Sequence, residues 1–134
     1  MRKILFKGKR IDNGGWIYGS PIFQDGYVLI RFWNSEEFKF EEHLVAPESV
    51  YEFTGLIDKS GKKIFEGDIV KAQDDIFGSP FCNGITGKVV YEETAFFIEP
   101  KDPMETQWLF NECAVYEIIG NIHDNPELLK ESEQ

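Results

Sequence analysis

Residues 51–71, YEFTGLIDKSGKKIFEGDIVK, contain two apolar runs separated by a polar turn. Asp58 can hydrogen-bond nearby backbone groups in such a turn, and Gly61 follows it closely. Gly67 provides a position at which φ can be positive, and Asp68 beside it can accept hydrogen bonds from neighbouring amides. The segment therefore predicts a β-hairpin, which we expect at the centre of a small β-barrel.

Five residues of this segment mark the fold rather than an activity. Period-two alternation sends Glu66 and Asp68 to one side of the predicted strand. For Asp68, a role in capping or in fixing a bulge is favoured over catalysis. The fold-signature residues are Gly55, Gly61, Glu66, Gly67 and Asp68.

The size of the chain indicates one compact core. It has 134 residues, of which 42% are apolar, and it includes twelve phenylalanines. This length is near the commonest size of a single domain. We expect residues 1–134 to form one domain, or two closely packed β subdomains at about 1–50 and 51–129.

The N-terminal half predicts a further set of strands. Residues 27–33, YVLIRFW, have Arg31 as their only charge and predict a central strand. Pro21 restricts the preceding run to an edge or a bulge, because proline cannot donate a ladder hydrogen bond. Phe38 and Phe40 alternate with charged residues, which favours another strand. Most aromatic side chains of this half are expected in the core, because few other residues could fill it.

The C-terminal end predicts a short helix. Asn125 stands at the N-cap and Pro126 at the first helical position. Glu127 follows in the first turn, near the positive end of the helix dipole.

Charge is distributed unevenly along the chain. The formal net charge is -10, yet the first ten residues contain five basic residues and no acidic residue: Arg2, Lys3, Lys7, Lys9 and Arg10. A broadly acidic surface repels a phosphate backbone. Nucleic-acid binding is therefore disfavoured except through this basic N-terminal strand.

Aromatic residues follow the basic strand closely. Their interleaving with Arg10 and Arg31 leaves open a stacking surface for single-stranded nucleic acid or a peptide. The candidate interaction residues are Lys7, Lys9, Arg10, Trp16 and Tyr18.

The sequence predicts neither export nor membrane insertion. The basic start runs into only three apolar residues, too few for a secretory signal, and no apolar run is long enough to span a bilayer. Cys82 and Cys113 are the two cysteines, and a disulfide between them is not expected in a reducing compartment. We expect a cytoplasmic protein.

No residues show the spacing of a catalytic or metal site. His43 and His123 are isolated, and the sequence contains no phosphate-binding loop, nucleophile elbow or dinucleotide fingerprint. We therefore expect no enzyme activity, no cofactor and no metal. A hydrolase that escapes these patterns would be centred on Glu66, Asp68 and His123.

Three separated stretches resemble the YopX family, in the family's order. They are LFKGKR with DNG and WIYG in residues 5–19, YEFTGLIDK with GKKIFEGDIV in residues 51–70, and YEIIGNIHDNPEL in residues 116–128. The resemblance implies an origin in phages or prophages and a mostly β fold with an SH3-like barrel component. It implies no established activity, and no catalytic residue is carried over.

The predicted fold is mostly β: a small SH3-like β-barrel with an additional N-terminal strand set and a short C-terminal helix. The leading functional hypothesis is a non-enzymatic phage or prophage accessory protein in the cytoplasm of a bacterial host. It would bind a macromolecule, with a protein partner or self-association expected and no membrane partner. The alternatives are a nucleic-acid-binding module that uses the basic N-terminal strand and an acidic DNA-mimic inhibitor of a host protein.

Overall fold

The computed structural model describes residues 3–74, 84–110 and 114–131. Within these residues the chain forms eleven β-strands, one α-helix and two 3-10 helices. The two cysteines, Cys82 and Cys113, lie outside the described residues.

The elements are numbered in chain order. The strands are β1 (Phe6–Lys9), β2 (Trp16–Gln24), β3 (Tyr27–Asn34), β4 (Lys39–Val45), β5 (Tyr51–Ile57), β6 (Lys63–Phe65), β7 (Asp68–Asp74), β8 (Ile85–Glu92), β9 (Ala95–Glu99), β10 (Gln107–Trp108) and β11 (Ala114–Asn121). The helix α1 is Glu127–Glu131, and the 3-10 helices are Pro47–Ser49 and Pro103–Glu105. The helix α1 is too short to contribute a large buried face, so the fold rests on its strands.

The strands form two antiparallel sheets that do not close into a barrel. One has the strand order β4-β3-β2-β1-β5-β6, and the other has the order β10-β9-β8-β7-β11. The mostly β class, the N-terminal strand set and the short C-terminal helix are confirmed. The predicted SH3-like β-barrel is wrong, because closure requires the two edge strands of one sheet to pair. Among the described strands β4 and β6 remain edges, and a single bridge between Arg10 and Val45 does not join them.

The segment 51–71 supplies β5, β6 and the beginning of β7. β5 and β6 are consecutive strands that flank the predicted turn, but β6 is an edge strand of its sheet. The segment therefore ends one sheet and begins the other, rather than forming the centre of a barrel. Gly61 and Gly67 lie in its two turns with φ of +84° and +86°, a conformation that glycine adopts without steric cost.

Pro21 lies in β2 at a point where the strand has one paired neighbour. β2 pairs with β1 through residues 16–19 and with β3 through residues 20–24. Because the ladder to β1 has already ended at Pro21, the missing N–H removes no hydrogen bond on that side.

The chain divides into two compact units, Met1–Phe53 and Thr54–Gln134, and the described residues of each include a buried hydrophobic cluster. The buried cluster of the N-terminal unit is Val28, Ile30 and Val45. The buried cluster of the C-terminal unit is Ile64, Val70, Ala72, Val89, Ile98, Leu109 and Tyr116. Aliphatic residues therefore dominate both clusters. No helix among the described residues is both long and apolar enough to cross a membrane.

The prediction that most N-terminal aromatic residues are core residues is wrong. Six of them are exposed: Tyr18, Phe23, Tyr27, Trp33, Phe38 and Phe40. Successive residues of a strand point to opposite faces of the sheet. A core on one face buries Val28 and Ile30 of β3 and leaves Tyr27 and Trp33 of the same strand in solvent.

The Asp58 carboxylate joins the turn between β5 and β6 to β11. Its Oδ1 accepts hydrogen bonds from the backbone N–H groups of Ser60 and Lys62, both at 2.9 Å. Its Oδ2 accepts from the backbone N–H of Ile118 at 3.3 Å, sixty residues away in sequence. Burial raises the pKa of Asp58, but these hydrogen bonds outweigh burial, so the pKa lies below its ordinary value.

We expect Asp58→Asn to lower the free energy of unfolding by about 2 kcal/mol near neutral pH. The side-chain NH2 group of the asparagine would face a backbone N–H group that the carboxylate of Asp58 accepts from, so that hydrogen bond would be lost. The folded-state pKa is depressed, so this stabilisation is present above the unfolded-state pKa and is lost as pH falls through the folded-state pKa. Urea unfolding between about pH 7 and pH 2 should show the difference between wild type and variant shrinking with acid. Glu92→Gln, at an exposed position, is the control. A difference that stays constant with pH would contradict this role.

The turn between β8 and β9 holds two residues in an unfavourable backbone conformation. Glu93 and Thr94 have φ of +49° and +67°, and they are the two residues between the paired Glu92 and Ala95. Two-residue hairpin loops with two positive φ values favour Asn-Gly. Thr94 is β-branched, so the left-handed conformation costs about 1–2 kcal/mol there.

We expect Thr94→Gly to raise the free energy of unfolding by about 1 kcal/mol, because relief of the left-handed conformation exceeds the added entropy of the unfolded chain. Thr86→Gly, inside β8, is the matched control and should lower stability. Urea unfolding measures the free energy of unfolding of both variants against wild type. Equal losses of stability in the two variants would show that the turn is not strained.

Candidate interaction surfaces

Pairing of β1 with β2 brings four of the five predicted interaction residues to one face of the sheet. Lys9 lies opposite Trp16, and Lys7 lies opposite Tyr18. On the other side of β1, Tyr51 lies opposite Lys7, and its ring centroid is 6.3 Å from that of Trp16. Residues directly opposite each other in a sheet share a face. We call these five residues the basic–aromatic face.

Gly8 allows β1 to present its lysines on that face. A Cβ atom at Gly8 would lie 2.9 Å from the side chain of Val45, which belongs to the buried cluster. A larger residue at this position would force the strand away from the core. One side of β1 therefore packs against the core of the N-terminal unit, and the other side carries Lys7 and Lys9.

Both lysines of the basic–aromatic face stack on the same ring. The Nζ atom of Lys7 lies 4.6 Å from the centroid of Trp16, and that of Lys9 lies 5.8 Å from it. These distances are within the range of cation–π interactions. Lys7 is only 6% exposed. A bound phosphate would have to compete with these contacts.

Arg10 lies just beyond β1 and forms a two-point ion pair with Asp12. Its Nε and Nη2 atoms donate to the two carboxylate oxygens at 2.9 and 2.7 Å. This hydrogen bonding raises the pKa of Arg10 and lowers the pKa of Asp12. The positive charge of Arg10 is therefore balanced within the turn, and the strand pairing does not bring Arg10 into the basic–aromatic face.

The fold-signature residues occupy turns, an irregular strand position and a buried carboxylate site. Gly55, within β5, has φ of +93°, alongside the positive values at Gly61 and Gly67. Asp68 is 3% exposed, and its Oδ2 accepts a hydrogen bond from the backbone N–H of Phe65 at 2.8 Å. Glu66, in the turn between these two residues, is half-buried.

The residues of the hydrolase alternative come from neighbouring parts of the C-terminal unit. Asp68 is paired in register with Asn121, two residues before His123. The hydrogen bond from Phe65 to the buried carboxylate of Asp68 fixes the turn that contains Glu66. Across residues 3–74, 84–110 and 114–131, no three His, Cys, Asp or Glu residues are placed to hold a metal ion.

The hairpin of β3 and β4 carries an exposed aromatic cluster. Trp33 lies opposite Phe40 in register. Its ring packs edge-to-face against Phe38 and Phe40, with centroids 5.2 and 4.9 Å apart. The guanidinium carbon of Arg31 lies 4.2 Å from the centroid of Phe40. We call Arg31, Trp33, Phe38 and Phe40 the hairpin patch.

The three aromatic residues of the hairpin patch are exposed. Trp33 is 46% exposed, Phe40 is 57% exposed and Phe38 is 82% exposed. Clustered exposed apolar side chains on a soluble protein mark interaction surfaces more often than isolated ones do. The patch is thus the stronger candidate for a docking surface in the N-terminal unit.

Asn34 fixes the turn that presents Phe38. Its Oδ1 accepts from the backbone N–H groups of Glu36 and Glu37 at 3.0 and 3.1 Å. Its Nδ2 donates to the carboxylate of Glu41, which lowers the pKa of Glu41. Phe38 itself has φ of +56°, a conformation that is sterically costly for a bulky residue. The turn therefore holds an exposed ring in an unfavourable backbone conformation.

A signal for this patch is present in the sequence. Residues 34–42, NSEEFKFEE, contain two phenylalanines among four glutamates and one lysine. Such a segment is too polar for burial on both sides, so its aromatic residues are poor candidates for the core. Composition alone therefore gives a reason to expect exposed rings here.

A shallow groove of about 390 Å³ lies on the C-terminal unit. Its lining residues are Thr54, Leu56, Ala95, Phe96, Trp108, Leu109 and Phe110. The hydroxyl of Thr54 already donates to the carbonyl of Ile64 at 2.7 Å and accepts from the N–H of Leu56. The lining contains no ionisable side chain, so the groove offers apolar contact without acid–base groups.

The family model described as YopX protein matches residues 15–130. The chain belongs to the YopX family. The match includes Trp16, Tyr18 and the whole hairpin patch, and it begins after Lys7, Lys9 and Arg10. The cations of the basic strand thus stand outside the matched part of this YopX family protein.

The structure of this YopX family protein is similar to the crystal structure of protein EF1440 from Enterococcus faecalis. The two are 25% identical, with a TM-score of 0.53, and the similarity covers 96% of this chain and 99% of the other. The similarity therefore extends over nearly the full length of both chains. A comparison with curated proteins gave no match.

We expect Phe38→Gly to change the free energy of unfolding by less than about 0.5 kcal/mol, because relief of the left-handed conformation offsets the lost ring contact and the added chain entropy. Phe40→Gly should cost about 2 kcal/mol, because it places glycine in β4 and removes two ring contacts. Urea unfolding measures both. Equal destabilisation by the two substitutions would show that Phe38 serves stability.

Proposed function

We propose that this YopX family member is a phage or prophage accessory protein that acts in the cytoplasm of a bacterial host by binding a protein partner, without catalysing a reaction. The observation that carries this proposal is the hairpin patch. It places three aromatic rings and an arginine on the exposed part of one hairpin. Trp and Arg are enriched among the residues that dominate binding energy at protein interfaces, and aromatic residues are enriched in interfaces generally.

The rigidity of the hairpin supports this proposal. Asn34 fixes the turn through two accepted backbone hydrogen bonds, and Trp33 packs against both phenylalanines. A surface that is already ordered loses less conformational entropy on binding than a mobile loop does. Phe38 is held in an unfavourable conformation while most of its surface contacts water. A binding role accounts for an arrangement that stability does not favour.

Nucleic-acid binding is the second candidate, and the basic–aromatic face is the observation that favours it. Strand pairing places Lys7 and Lys9 beside the rings of Trp16 and Tyr18, as in surfaces on which bases stack. The burial of Lys7 and the ion pair of Arg10 reduce the cationic surface available to phosphates. The net charge of -10 opposes binding further. A protein partner is therefore the better-supported function.

The DNA-mimic alternative would require carboxylates in rows that imitate a duplex. On the hairpin, however, Glu37 pairs with Lys39 at 3.0 Å, and Glu42 lies 3.8 Å from Arg31. Aromatic rings also separate these carboxylates on the strand face. The pattern favours a mixed apolar and charged interface over a mimic of DNA.

The test is affinity capture from nuclease-treated lysate of induced host cells, with three baits compared by mass spectrometry. Wild type and Phe23→Ala should retain the same partner, whereas Phe38→Ala/Phe40→Ala should lose it. Phe23 is a matched control because it is an exposed phenylalanine of β2 in the same unit.

Identical captures by all three baits, or no captured protein, would refute the proposed surface. If a partner is captured only from lysate without nuclease treatment, and its capture falls steeply as salt rises, nucleic-acid binding is favoured instead.

A further inference from the structure

We infer that the hairpin patch recognises a basic segment of its partner, through an arginine side chain that stacks on the exposed rings and pairs with the neighbouring carboxylates. This inference rests on the proposed function and adds the chemistry of the partner. It follows from the charge around the patch and from a contact that the hairpin itself contains.

The charge around the patch is negative. Residues 34–42 carry four glutamates and one lysine, a net charge of -3. The single lysine, Lys39, is paired with Glu37. Glu36 is exposed in the same turn, and within the described part of the chain its carboxylate has no ion-pair partner. A positively charged partner therefore gains both electrostatic steering and a direct contact.

The contact between Arg31 and Phe40 shows the chemistry that the patch favours. The guanidinium lies over the ring at 4.2 Å from its centroid, with Glu42 3.8 Å from Arg31 Nε. Arginine stacks on aromatic faces and pairs with carboxylates at the same time, because its guanidinium is planar and carries several donors. Trp33 and Phe38 provide further exposed ring surface beside this contact, with Glu36 and Glu37 at its margin.

Other occupants fit the patch less well. A nucleic acid would bring its phosphates against the glutamates of residues 34–42. A second copy of the chain, docked about a two-fold axis, would bring two patches of net negative charge together. A basic protein segment satisfies the rings and the carboxylates together. Its arginine would replace water at the rings and neutralise the excess negative charge.

The experiment is an NMR titration of the full chain with the peptide Gly-Arg-Gly-Arg-Gly, with Gly-Glu-Gly-Glu-Gly as the control peptide. The protein has three tryptophans, so the indole N–H signals of Trp16, Trp33 and Trp108 report on three places at once. We expect the arginine peptide to shift the signals of Trp33 and of residues 31–42. The signals of Trp16 and Trp108 should remain unchanged.

Variants of the protein distinguish stacking of the arginine peptide on the rings from nonspecific electrostatic attraction between the peptide and the acidic protein. Phe38→Gly should weaken peptide affinity by about fivefold, the equivalent of one exposed cation–π contact, and dispersed amide signals will show that it is folded. Glu36→Gln/Glu37→Gln should weaken affinity and reduce its salt dependence. Phe23→Ala should bind as wild type does. Glu48→Gln/Glu105→Gln, which removes the same charge elsewhere, should have a smaller effect than the hairpin pair.

Peptide-induced shifts spread over the whole surface, or centred on Trp16 or Trp108, would overturn the inference. Unchanged affinity in Phe38→Gly would overturn it equally. If Phe38→Ala/Phe40→Ala abolishes partner capture while the arginine peptide shifts no signal of the hairpin, the proposed function stands and the basic-segment inference fails. If both experiments give no effect, both proposals fail.

Discussion

The C-terminal unit depends on a buried carboxylate that joins distant parts of its chain. Asp58 accepts hydrogen bonds from two amides of the turn between β5 and β6 and from one amide of β11. A second connection, from the N–H of Lys59 to the carbonyl of Tyr116, lies beside it. These contacts fix the turn against the edge of the five-stranded sheet. Because β11 pairs only with β7 in that sheet, its outer edge would otherwise expose unpaired backbone groups.

In the N-terminal unit, the alternation of strand residues separates the core from the interaction surfaces. β1 turns Gly8 towards the buried cluster and its two lysines towards Trp16. β3 buries Val28 and Ile30 and presents Arg31 and Trp33. One sheet can therefore be stable on one face and available for binding on the other. Phe38 extends this surface into the turn, where it is 82% exposed.

Local signals in the sequence predicted the hairpin of residues 51–71, because apolar runs and turn residues act over short distances. Closure into a barrel depends on which edges meet, and short segments do not encode that choice. The short range of sequence signals also explains which candidate interaction residues the sequence indicated. The predicted interaction residues Lys7, Lys9, Trp16 and Tyr18 lie together because they are close in sequence across one hairpin. The hairpin patch was missed because large aromatic side chains were expected to be buried, although its acidic surroundings indicated exposure.

The sequence by itself determined the YopX family, the mostly β class, the turns and the excess of negative charge, since these follow from motifs, local periodicity and composition. Only the tertiary structure decided that the sheets stay open, that Asp58 reaches Ile118 and that Trp33, Phe38 and Phe40 remain in solvent. The physical reason is that burial and long-range hydrogen bonds depend on strand order and on which face of a sheet is covered. Both are properties of the whole unit, and no single segment contains them.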